Sequence, residues 1–108
     1  MQRVMIVFTV PETHLQPVLD AVAAAGAGVI GEYTHCSFTA AGTGRFMPSA
    51  AANPTLGARG VLNAEPELRV ETFCPRERAR AVVAALRDAH PYEEPVFYVI
   101  PLLDEASL

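Results

Sequence analysis

The hexapeptide His90-Pro91-Tyr92-Glu93-Glu94-Pro95 packs an imidazole, a phenol and two carboxylates between a helical pattern and the apolar run Val96–Ile100. Its prolines hold φ near −65° and bias the residues before them, His90 and Glu94, toward extended backbone, so the polar side chains leave a stiff corner in set directions. A second pair, His35-Cys36, adds an imidazole and a thiol. Imidazole, thiolate and carboxylate together suit zinc or copper, which makes His35, Cys36, His90 and Glu93 (or Glu94) a candidate divalent metal site. The second strand and the entry to the last one can lie near each other or meet across a subunit boundary, but neighbours on a strand point to opposite faces, so His35 and Cys36 can share one ion only through a bulge.

A second candidate site is a small-molecule cleft. Gly42, Gly44 and Arg45, with Arg59 further on and Tyr92 and Glu94 from the corner, are its expected contacts for an anionic effector or nucleotide. As a phosphate cradle Gly42-Thr43-Gly44 is weak, because no Lys follows and no clear helix opens after it. Catalysis is not expected. Glu93 and Glu94 are adjacent and cannot face each other as acid and base across a substrate. Cys74, before Pro75 at a helix start, could have a lowered thiol pKa, but it reads more simply as the last inward residue of its strand.

The elements that must position these groups come in two similar halves. Setting Pro11 against Pro75 aligns Val18 with Val82, Leu19 with Val83, Ala21 with Ala85, Val22 with Leu86 and Ala25 with Ala89. Each half is a strand, a proline and a helix. Gln2–Val10 reads as a covered strand and Leu68–Cys74 as an alternating one. The stripes Leu15, Val18, Leu19, Val22 and Val82, Val83, Leu86 predict two short helices with one apolar side. Thr13 and Gln16 suggest a capping box, with Pro17 loosening the first turn. Gly26 and Gly28 end the first helix. Val29–Phe38 is expected as the second strand and Val96–Ile100 as the last. Right-handed crossovers then give a ferredoxin-like βαββαβ sandwich, an α+β fold with both helices on one face of an antiparallel sheet. The long connection 39–67 is expected to be a binding loop, an oligomer arm or a lid, with Gly44–Pro48 able to add a short strand.

With 108 residues the chain fits one domain, 1–108, and 51% apolar with 19% charged residues indicates a folded one. A net charge of −4 argues against nucleic acid or an anionic membrane as partner. The two cysteines lack Cys-x-x-Cys spacing, and reduced cytoplasmic thiols fit them. No run approaches the roughly 20 apolar residues of a membrane span.

Val10-Pro11-Glu12, Gly26-Ala27-Gly28, Tyr33-Thr34-His35-Cys36-Ser37-Phe38, Gly42-Thr43-Gly44, Asn53-Pro54 with Gly57, and Ala89–Pro95 together resemble the PII-like insert domain of the Nif-three-like family, here standing alone. Some members of that family are named GTP cyclohydrolases of type two. The resemblance covers almost the whole chain. His90-Pro91-Tyr92-Glu93 is also similar to an element of the CutA divalent-cation-tolerance proteins, which share the ferredoxin-like fold and form trimers. The family's metal-binding core halves have no counterpart here, so the resemblance carries over no hydrolase activity. It implies a PII/CutA-like, non-enzymatic regulatory module in the cytoplasm. Its expected partners are itself, as a homo-oligomer and most simply a trimer, and a small effector or a protein.

Overall fold

The computed structural model describes residues 2–108. The elements run β1 (Arg3–Val10), α1 (Leu15–Ala24), β2 (Phe38–Phe46), β3 (Asn63–Pro75), α2 (Ala79–Ala89) and β4 (Phe97–Pro101), with 3-10 turns at Glu12–His14, Arg76–Arg78 and Glu105–Ser107. The sheet has the order β2-β3-β1-β4, with every neighbouring pair antiparallel. This is the ferredoxin-like α+β arrangement.

Side-chain alternation divides the sheet into two unlike faces. Val4, Ile6, Phe8 and Val10 of β1 and Val70 and Cys74 of β3 pack with Val18, Val22, Val82 and Leu86 of the helices into one core. The remaining alternate positions, among them Met5, Val7, Glu67, Arg69, Glu71, Phe73, Tyr98 and Ile100, lie on the opposite face, which no helix covers. Burial pushes the Cys74 thiol pKa up, with Glu77 adding to the effect. The thiol is thus a small core group and not an activated nucleophile.

The repeat survives as geometry. Pro11 and Pro75 have nearly the same backbone, φ −65° with ψ 146° and φ −58° with ψ 144°, and each opens a 3-10 turn that leads into a helix. The expected capping box does not form. Thr13 Oγ pairs with His14 Nδ1, Gln16 donates to Asp20, and the turn Glu12–His14 replaces the cap. Pro17 is the third residue of α1, where its missing N–H removes no intrahelical bond.

The expected second strand is displaced. Extended pairing begins only at Phe38, while residues 29–37 form a loop with a single bridge between Ile30 and Tyr33. Positive φ at Gly28, Gly31 and His35 interrupts an extended run there. This loop takes the place of a strand beside the end of β3. Gly28 N–H donates to the Phe73 carbonyl, and Cys36 N–H donates to the Gly28 carbonyl. A Cβ on Gly28 would stand 2.7 Å from the Cys36 backbone, so close approach and φ of +80° both select glycine.

The 39–67 connection is not mainly loop. Residues 39–46 belong to β2 and 63–67 to β3. Its glycines 42 and 44 are strand residues, and the suggested short strand at Gly44–Pro48 is the end of β2. Because β1 ends opposite Leu68, the pairs Gly42↔Glu67 through Phe46↔Asn63 continue as a two-stranded arm beyond the body. Five further pairs extend it by about 17 Å, in keeping with overall dimensions of 49 × 26 × 23 Å. The last strand is Phe97–Pro101, one residue later than expected.

Leu86→Ala, in the fully buried centre of the core, should cost about 2–5 kcal/mol in denaturant unfolding. Leu103→Ala, at an 82% exposed position, should stay within about 0.5 kcal/mol.

Candidate functional site

The corner 90–95 stands where α2 returns to the sheet. His90 closes the helix with extended backbone, φ −74° and ψ 137°, as the following proline requires. Its ring is buried, 6% exposed, and both nitrogens are engaged. Nε2 lies 2.7 Å from the Thr9 carbonyl, which can only accept, so this nitrogen carries the proton. Nδ1 accepts the Tyr92 backbone N–H at 3.1 Å. The imidazole is therefore neutral with a fixed tautomer. Burial lowers its pKa below the ordinary value, and the Thr9 hydrogen bond and the Glu67 carboxylate oppose that only in part.

The neighbouring side chains fasten the arm. The Tyr92 hydroxyl donates to Glu67 Oε1 at 2.9 Å, at the arm's base. Glu93 Oε1 accepts the backbone N–H of Asn53 at 2.9 Å, and the Pro91 carbonyl accepts the Thr55 hydroxyl at 2.8 Å. The loop that joins the arm strands thus folds back onto the corner. Burial raises the Tyr92 pKa, and the hydrogen bond to Glu67 raises it further, so the phenol stays protonated and donates. Glu67 is itself 9% exposed. Its carboxylate lies across Gly44, where a Cβ would meet Glu67 Cδ at 2.6 Å. Gly44 is therefore the cleared space that lets Glu67 reach Tyr92.

His35 and Cys36 sit elsewhere. With Gln16, Asp20, Ser37 and Thr72 they border a cavity of about 80 Å³ beside α1. His35 adopts φ of 60° and pairs through Nδ1 with Thr34 Oγ. The Cys36 carbonyl accepts the Thr72 hydroxyl. Thr72 is opposite Ile6 in the register and His90 is bound to Thr9, three residues along β1 or roughly 10 Å. Ligands of one zinc ion lie about 2.0–2.3 Å from it, so one chain does not bring His35 and Cys36 to His90 and Glu93. Among the described residues no three His, Cys, Asp or Glu side chains come together as a metal site.

Of the expected small-molecule contacts, Gly44 and Tyr92 meet at Glu67. Gly42, Gly44 and Arg45 are on β2, Arg45 is exposed, and Arg59 donates to the Ala52 carbonyl within the loop. Tyr92 is turned to Glu67, and Glu94 is exposed. Glu67, Asn53 and Thr55 were not expected as members of the site. Glu67 looks in sequence like any carboxylate on an alternating strand. A signal for it is Gly44 on the facing strand β2, whose missing Cβ leaves room for its side chain.

No family model matches the chain. It is 44% identical over 103 residues to the GTP cyclohydrolase 1 type 2 homolog of Halalkalibacterium halodurans, covering 95% of this chain and 27% of that protein. A Bacillus cereus protein related to NIF3 superposes with a TM-score of 0.83 at 40% identity, over 95% of this chain and 26% of that one. The periplasmic divalent cation tolerance protein CutA of Archaeoglobus fulgidus superposes with a TM-score of 0.68 at 14% identity, over 94% and 85% of the two chains. The chain is thus a homologue of one segment of NIF3-like proteins and has the fold of CutA. It spans about a quarter of the length of the curated relatives it matches.

Tyr92→Phe removes the donor to Glu67 and should cost about 1–3 kcal/mol, whereas Tyr92→Ala also empties the ring's place and should cost roughly 3 or more. Gly44→Ala pushes Glu67 off Tyr92 and should cost about as much as Tyr92→Phe, with little further loss when the two are combined. Chemical unfolding of the four variants measures this, and full additivity would show that Gly44 does not act through Glu67.

Proposed function

We propose that the chain is a self-associating regulatory module without catalysis of its own, in which the open sheet face meets further copies and the braced arm shapes the ground between them. The observation that carries this reading is the uncovered face. Phe38 (65% exposed), Tyr98 (56%) and Ile100 (39%) lie on it, with Glu71 and the buried Val7 between Phe38 and Tyr98. Large apolar side chains grouped on one sheet face mark an interaction surface. Among the described residues the outer edges of β2 and β4 also lack strand partners, and such edges in small domains are commonly covered by another chain. The reading without catalysis is supported by the corner itself, whose imidazole, phenol and one carboxylate are engaged by Thr9, Glu67 and Asn53.

A small effector in a cleft between copies is the second part of the proposal. Arg45 and Glu94 are exposed, and an anionic effector in such a cleft would meet Arg45.

Light scattering coupled to gel filtration should give a defined oligomer at micromolar concentration. Tyr98→Glu with Ile100→Glu should lower the mass to that of one chain while keeping the helical and sheet signal. A wild-type monomer would overturn the self-association reading.

A further inference from the structure

We propose that His90 is a proton-operated latch for the arm: protonation of Nδ1 removes the acceptor of the Tyr92 backbone N–H and loosens the hold of the corner on loop 47–62. The inference is independent of self-association and rests on the hydrogen bonds within one chain. Nε2 is committed as donor to Thr9, which leaves Nδ1 as the only place for a second proton, and there it would face the N–H of Tyr92. Two donors cannot share that contact. Tyr92 also carries the hydroxyl that holds Glu67, and its neighbours Pro91 and Glu93 hold Thr55 and Asn53. A shift of the Tyr92 backbone therefore reaches all three anchors of the arm and its loop.

The charged and titratable groups around His90 act in opposite directions. Glu67 on β3 favours the imidazolium, whereas His14, in the turn before α1, disfavours it. Thr9 of β1 contributes a carbonyl and Tyr92 a neutral ring, with centroids 4.9 Å apart. Burial of the ring outweighs the attraction and keeps the docked imidazole neutral. The docked state thus binds fewer protons than the released one. Docking is complete above the ordinary imidazole pKa of about 6.5, weakens as pH falls below it, and reaches its floor once the docked imidazole is itself protonated.

Amide hydrogen exchange, corrected for the intrinsic effect of pH, tests the latch at about pH 7.5 and about pH 5.0 on the intact chain. The Asn53 amide and its neighbours in loop 47–62 should lose severalfold in protection at the lower pH, the direction set by a docked imidazole that binds fewer protons than the released one. Amides of β1 and β3 should not change. His90→Asn, whose side-chain oxygen can accept the Tyr92 N–H two residues on, should keep the loop protected at both pH values. Glu93→Gln, which keeps the acceptor for Asn53 but has no carboxylate to titrate, should still respond to acid. Equal wild-type protection at both pH values would overturn the latch, as would an acid response retained in His90→Asn. Loss of the response in Glu93→Gln would assign it to the carboxylate and overturn the latch equally. Should His90→Asn fail to fold, the wild type and Glu93→Gln still decide the question.

Discussion

The hydrogen bond from the Tyr92 hydroxyl to Glu67 links the body of this protein to the arm that projects from it. Beyond Leu68 the hairpin of β2 and β3 has no third strand beside it among the described residues, and a two-stranded ribbon alone is at best marginally stable in water. What steadies it is lateral support from the corner. A nearly buried carboxylate needs a donor, Tyr92 provides one, and Gly44 clears the room. The Tyr92 backbone is in turn set by His90, and His90 by the Thr9 carbonyl at the end of β1. A chain of three hydrogen bonds thus ties the central strand to the arm.

That dependence gives the polar groups of the corner a structural use. An imidazole with both nitrogens engaged and a phenol whose pKa is raised by burial and a carboxylate neighbour are poor bases at neutral pH. They are good fixtures, because each hydrogen bond has one orientation. The prolines on either side reduce the freedom that fixing these groups would otherwise cost.

Much of the fold was legible in the sequence because it rests on local rules. The two stripes of apolar residues, the two strand-proline-helix starts and the glycines after α1 each specify geometry within a few residues. The placement of β2 was not legible, since Val29, Ile30 and Tyr33 have strong strand character while their backbone is redirected by Gly28, Gly31 and a His35 in the left-handed region. His is among the residue types that enter that region more often than most, but residue type alone does not single out His35. The candidate site was half legible. His90, Tyr92 and Glu93 stand out through their prolines, but Glu67, Asn53 and Thr55 come to them from 25 to 40 residues away, and only the folded arm shows that pairing. The same long-range geometry keeps His35 and Cys36 apart from His90, which composition alone could not reveal.

The most direct measurement of this account is a double-mutant cycle between Tyr92→Phe and Glu67→Ala, read by chemical unfolding. If the pair is the tie between body and arm, the coupling energy should be about 1–3 kcal/mol, as expected for a partly buried hydrogen bond to a charged acceptor. Additive single effects, with coupling near zero, would mean that the corner and the arm are held independently and would contradict the account.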